Sequence, residues 1–141
     1  MRAAYRPGTR TMLLLPAAAL VLSGLAAGCS SSPPAYCTAA SQLKTSVHNL
    51  SDVDVAKNGL SSLQTALGKV QTNAKTFAAD AKSAYPSQTT ALKNSLSSLE
   101  TAIKSAKGQS PLTAAAAVVP AVTQVKTSAS NLQNAASGKC Q

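Results

Sequence analysis

The feature that most restricts this chain is a run of ten apolar residues, Val53, Ala56, Leu60, Leu63, Leu67, Val70, Ala74, Phe77, Ala81 and Ala84, separated by alternating steps of three and four. That spacing keeps side chains on one side of an α-helix, and it continues for about nine turns. A strand would need alternation with period two, and no segment shows it. Three further segments carry the same spacing. Tyr36, Ala40, Leu43, Val47 and Leu50 come before the long run, whereas Thr89, Leu92, Leu96, Leu99, Ile103 and Ala106 follow it. Ala115, Val118, Val122, Val125, Ala129, Leu132 and Ala136 complete the set.

The breaks between the segments have chemical causes. Pro86 lacks an amide donor and drives Tyr85 out of helical geometry, so the second helix is expected to stop there, with Ser87 capping the third. Lys104 and Lys107 suit the negative end of that third helix, and Gly108 suits its termination. Ser110-Pro111 pairs a capping hydroxyl with a proline at a position where no amide is needed. Pro120 interrupts the last segment and is expected to kink or split it. Asn58-Gly59 leaves two readings of 51–59 open, a loop or two extra helical turns.

Four amphipathic helices with short connections predict an all-α, up-down-up-down four-helix bundle over residues 36–141. Lys57, Lys69, Lys75, Lys82, Lys93, Lys104 and Lys107 all fall off the apolar positions, as a solvated face requires. An even number of helices returns the chain to the end where it began. The core must be assembled from Leu, Val and Ala, because Tyr36, Phe77 and Tyr85 are the only aromatics after the first 28 residues. Such close packing leaves little room for a ligand, so no large preformed cavity is expected.

Residues 1–28 have the layout of an export signal. Arg2, Arg6 and Arg10 precede an apolar run from Met12 to Ala27, and Ala26-Ala27-Gly28 is a small-residue cleavage zone. The apolar run holds about 16 residues, with Pro16 and Gly24 inside it, against roughly 20 for a membrane-spanning helix. Leu25-Ala26-Ala27-Gly28-Cys29 resembles the lipobox of bacterial lipoproteins. Ala26 stands where that motif commonly has Leu, and Ala26-x-Gly28 also suits ordinary signal peptidase. The resemblance implies a diacylglyceryl group, with palmitate-type chains, on the Cys29 sulfur and cleavage just before it. Two acyl chains hold a protein stably at a membrane where one gives marginal binding. Residues 29–35 then form a lipidated Ser/Pro tether.

The chain has three cysteines, and lipidation of Cys29 leaves Cys37 and Cys140. In an exported protein these two can be oxidised and stay so. Helix parity brings Cys37 and Cys140 to the same end of the bundle, so a disulfide joining its ends is expected, with two free thiols as the alternative. Neither cysteine has the neighbouring Cys or His that a zinc site needs, and no metal or other cofactor is expected.

No catalytic residues are expected. His48 stands alone, one place past Val47. Asp52 and Asp54 lack the further oxygen ligands and the central Gly of a calcium loop, and they suit the positive end of the second helix. No Gly-rich phosphate loop, Ser/His/Asp grouping or carboxylate pair can be assembled. Removing the leader removes every Arg and leaves ten Lys against four acids, a formal charge of +6. Those lysines are scattered and have no stacking aromatics beside them, so nucleic acid is not an expected partner. An anionic envelope polymer or a protein fits better, within the roughly 10 Å reach that salt allows.

From "CTAASQLKTSVHNLSDVD", beginning at Cys37, to the closing "ASGKC", the chain resembles small Ala/Ser-rich actinobacterial lipoproteins of uncharacterised function. The resemblance implies a membrane-anchored extracytoplasmic protein and supplies no activity. A non-catalytic interaction or envelope-structural module is the first expectation. The alternative is a binding protein for a lipid or other small apolar ligand, held in a crevice lined by Phe77, Val118 and Val122 where Pro120 opens the last helix.

Overall fold

The computed structural model describes residues 32–140. The leader at 1–28, the lipidation site at Cys29 and the start of the tether lie outside the described residues. Among the described residues there are four α-helices and no strand: α1 (Ala35–Ser51), α2 (Val55–Ala81), α3 (Pro86–Ala106) and α4 (Pro111–Ser137).

The apolar spacing accounts for the core. Leu43, Leu50, Leu63, Val70, Phe77, Leu92, Leu99, Ile103, Val125 and Leu132 are all fully buried, each contributed by a predicted stripe position. Burying a side chain of this size is worth about 1.5–3 kcal/mol, so these residues dominate the folding free energy. Helix α1 packs against α2 and α4, α3 packs against α2 and α4, and α2 also touches α4. Ser46 and Ser95 are buried as well, and each satisfies its hydroxyl by donating to a carbonyl three residues back, Leu43 at 2.9 Å and Leu92 at 2.8 Å.

The helix ends depart from the sequence reading in three places. The first is 51–59, which is neither a plain loop nor two regular extra turns. α1 ends at Ser51, Asp54 caps α2 by accepting from the Lys57 amide at 3.1 Å, and one helical turn follows before Gly59 breaks the geometry. Gly59 sits at φ 73°, ψ 173°, a conformation essentially reserved for glycine. That break resets the helical phase, so Val55 is buried in place of the expected Ala56.

The second departure is the α2–α3 connection. α2 stops at Ala81, short of the expected proline boundary, because Lys82 and Ser83 both adopt left-handed backbone (φ 43° and 69°) to reverse the chain. Ala84 is therefore exposed. Tyr85 is the N-cap residue of α3 and Pro86 its first helical residue, which puts Ser87 inside the helix rather than at its cap.

The third concerns the last segment. Ser110 caps α4 as expected, its hydroxyl accepting from the Thr113 amide at 3.4 Å, with Pro111 next. α4 then runs as one span to Ser137 with Pro120 inside it. Pro120 is exposed, so the Ala116 carbonyl that loses its usual donor lies on the watered side of the helix. Val118 is buried as expected, but on either side of it the buried residues are Ala114 and Ala121, each one residue before the expected Ala115 and Val122, which are half-buried.

Candidate functional site

The two cysteines meet. Cys37 is the third residue of α1, Cys140 lies two past Gly138 at the end of α4, and the pair is joined by a disulfide across 103 positions with Cα atoms 5.5 Å apart. The tail reaches its partner through two tight turns, the Lys139 amide donating to Ala136 at 3.0 Å and the Cys140 amide to Ser137 at 3.1 Å.

All three aromatic side chains of the domain gather near this junction. Tyr36, next to Cys37, packs edge-on against Phe77 at 6.0 Å and against Tyr85 at 5.6 Å between ring centroids. The Tyr85 hydroxyl donates to the Tyr36 hydroxyl at 3.3 Å. That hydrogen bond, with burial and the neighbouring phenol adding to it, raises the Tyr85 pKa above its ordinary value. The start of α1, the end of α2 and the start of α3 are thereby stitched together by aromatic contact, and the end of α4 by sulfur. The sequence reading counted these aromatics without grouping them. Their placement at segment ends, Tyr36 opening one stripe and Tyr85 preceding a proline, was the available signal.

The remaining polar candidates are dispersed. His48 Nδ1 lies 2.6 Å from Asp52 Oδ2, with the two side chains 74% and 62% exposed at the end of α1. Asp52 closes α1, its amide donating to the His48 carbonyl at 3.1 Å, whereas the expectation had placed it with α2. Asp54 is occupied with the α2 cap and with Lys57 Nζ at 3.6 Å. Glu100 pairs with Lys104 at 2.8 Å, which lowers its pKa below the usual carboxylate range. These are terminal and surface contacts whose physical effect is on helix ends. Among the described residues no three His, Cys, Asp or Glu side chains converge on one metal position.

Phe77 and Val118 are fully buried and Val122 is half-buried, so the first two do not wall an open crevice beside Pro120. Open surface grooves lie instead along the seams between helices. A polar groove of about 950 Å³ runs between α1 and α2, lined by side chains such as Gln42, Thr45, Asn49, Thr65 and Lys69. A second, of about 750 Å³, lies between α2 and α3. Short Ala, Ser and Thr side chains at the helix edges leave these seams unfilled. No described helix is long and apolar enough to cross a membrane. The chain matches no protein-family model, no curated protein and no solved structure.

Proposed function

We propose that the chain is a membrane-anchored extracytoplasmic lipoprotein, held by a diacylglyceryl group on Cys29, whose helical domain is a non-catalytic interaction or envelope-structural module. The observation that carries this reading is the Cys37–Cys140 bridge. A disulfide of this kind persists in oxidising compartments outside the cytoplasm, and it accounts for two of the three cysteines, leaving Cys29 within the lipobox-like stretch for acylation.

An up-down-up-down order of the helices belongs to the same reading. Three pairings support it: Tyr36 with Phe77 and Tyr85, the Gln42 carbonyl with the Asn73 amide group at 3.2 Å, and Cys37 with Cys140. Each joins residues that such a bundle brings to the same level. Pro120 kinks α4 in this arrangement. Ser30 to Pro34 spans at most roughly 18 Å, so the bundle stands with its cystine end against the lipid surface. Its exposed lysines then face anionic envelope components within a Debye length.

The test is fractionation of a bacterial host expressing the full chain and its Cys29→Ser variant. The parent chain partitions with membranes through high-salt washing, and the variant does not. A variant that stays with the membrane as firmly as the parent refutes the anchor. Chemical cross-linking on intact cells tests the module, and the absence of any cross-linked protein or wall polymer counts against it.

A further inference from the structure

The cystine lies where two helix ends of opposite partial charge meet. Cys37 is the third residue of α1, and Cys140 lies just past the end of α4. Neither end is neutralised on its own helix. The first turn of α1 holds no acid and Pro34 supplies no capping side chain, while the last turn of α4 holds no base. In a helix the Cα–Cβ bonds tilt towards the N-terminus, so the Cys37 sulfur leans over the first amides of α1. A negative charge on that sulfur is stabilised by those amides and by the helix dipole. Cys140 has less support once the bridge opens, because it belongs to a short tail held by two turn hydrogen bonds, and its neighbour Lys139 is exposed to water.

The bridge is also open to small molecules. Both cysteines are half-buried, and a depression of about 260 Å³ borders them in the seam between α1 and α4. From Cys37 it follows α1 for two turns to Lys44, about 10 Å at 1.5 Å per residue. No acidic side chain lines it, and Lys44 has no acidic partner among the described residues. A small thiol that carries a negative group complements this depression, with its sulfur at the cystine and its charge towards Lys44.

We infer that the cystine is a thiol-exchange site, at which a small anionic thiol becomes disulfide-bonded to Cys140 and Cys37 departs as the thiolate. The external thiolate attacks the Cys140 sulfur and a new S–S bond forms there. The Cys37–Cys140 bond breaks, and its electron pair passes to the Cys37 sulfur. The proton shed by the external thiol goes to water, and the cystine itself is the oxidant. The better-stabilised thiolate leaves faster, which sets the direction of the exchange. Return attack by Cys37 on the mixed disulfide expels the thiol and restores the bridge. The clasp between α1 and α4 thus opens and closes with the supply of thiol, independently of acylation at Cys29.

The test is exposure of the oxidised full chain to thioglycolate, with N-ethylmaleimide added to cap the released sulfur and fragmentation mass spectrometry to locate both groups. The expected product carries thioglycolate on Cys140 and maleimide on Cys37, and exceeds the reverse product by about fivefold. Ala35→Glu, at an exposed position, places an acid in the first turn of α1. It should slow opening by about twofold to fivefold while leaving the melting temperature of the oxidised protein unchanged or raised, since an acid there suits the helix dipole. Lys44→Glu should slow the reaction of thioglycolate and speed that of the cationic thiol cysteamine. Faster opening of Ala35→Glu together with a lower melting temperature would trace the reactivity to fraying of α1 and overturn the inference. So would the absence of any adduct, adduct mainly on Cys37 or shared equally, or rates indifferent to either substitution.

Discussion

Replacing Cys140 with Ser should lower the melting temperature by about 10–20 °C. The bridge closes a loop of 103 residues, and for a loop of this length the chain-entropy relation gives about 4.7 kcal/mol at 25 °C. Native disulfides usually deliver less, about 2–4 kcal/mol. At this chain size each kcal/mol moves the midpoint by about 4 °C or a little more. The native state itself loses little, because Cys140 lies beyond the last helix and outside the buried core, so its removal opens no cavity there. The effect therefore belongs to the link rather than to either side chain. Cys37→Ser, Cys140→Ser, the double variant and the reduced parent chain should all melt at nearly the same temperature by circular dichroism. A reduced parent that melts like the oxidised one, or a double variant that loses about twice what each single loses, refutes this reasoning.

Gly59→Ala meets no steric obstacle, yet it should destabilise the fold by about 1–3 kcal/mol because φ 73°, ψ 173° is open only to glycine; an unchanged chemical-denaturation midpoint would contradict this. Pro120→Ala restores an amide donor at an exposed site inside α4 and should raise the melting temperature, with an upper bound near the 3 kcal/mol helix penalty of proline. A lower melting temperature would mean that Pro120 contributes to packing and would contradict this expectation. Tyr36→Phe removes the hydrogen bond that raises the Tyr85 pKa, so the Tyr85 titration followed by ultraviolet absorbance should move down towards its ordinary value. Because that pKa is raised in the folded state, the linked stability is present below the unfolded value near 10.0 and is lost as pH climbs through the folded value. The variant should therefore lose less stability than the parent between neutral and strongly alkaline pH.

The central part of each helix was legible because burial there depends on a repeating distance along the chain. Leu63, Leu67, Val70, Phe77 and Ala81 followed one another into the core as the spacing required. The ends were less legible, since each depends on contacts that the local pattern does not contain. Tyr85 became the α3 N-cap residue while its ring packs on Tyr36 and Phe77, although Ser87 is the better capping residue by local chemistry. Val55 replaced Ala56 in the core because one glycine broke the phase of the helix. For the functional regions the division is similar. The cysteine pair followed from counting and from the parity of the helices. The α2–α3 groove did not, because Ala74 at a stripe position reads as ordinary core and the spacing says nothing of the gap beside it. His48 and Asp52 meet as helical neighbours four residues apart, a contact the spacing permits without implying any chemistry.

The most direct measurement is the intact mass of the protein extracted from the envelope of a bacterial host that expresses the full chain. A lipid-anchored, oxidised domain predicts one species that begins at Cys29, carries the added mass of acylated glycerol and lacks two hydrogens relative to the free thiols of Cys37 and Cys140. A chain that keeps residues 1–28, or one cut at that site with an unmodified Cys29, would contradict the lipid anchor, and a species with both remaining thiols free would contradict the closed bundle.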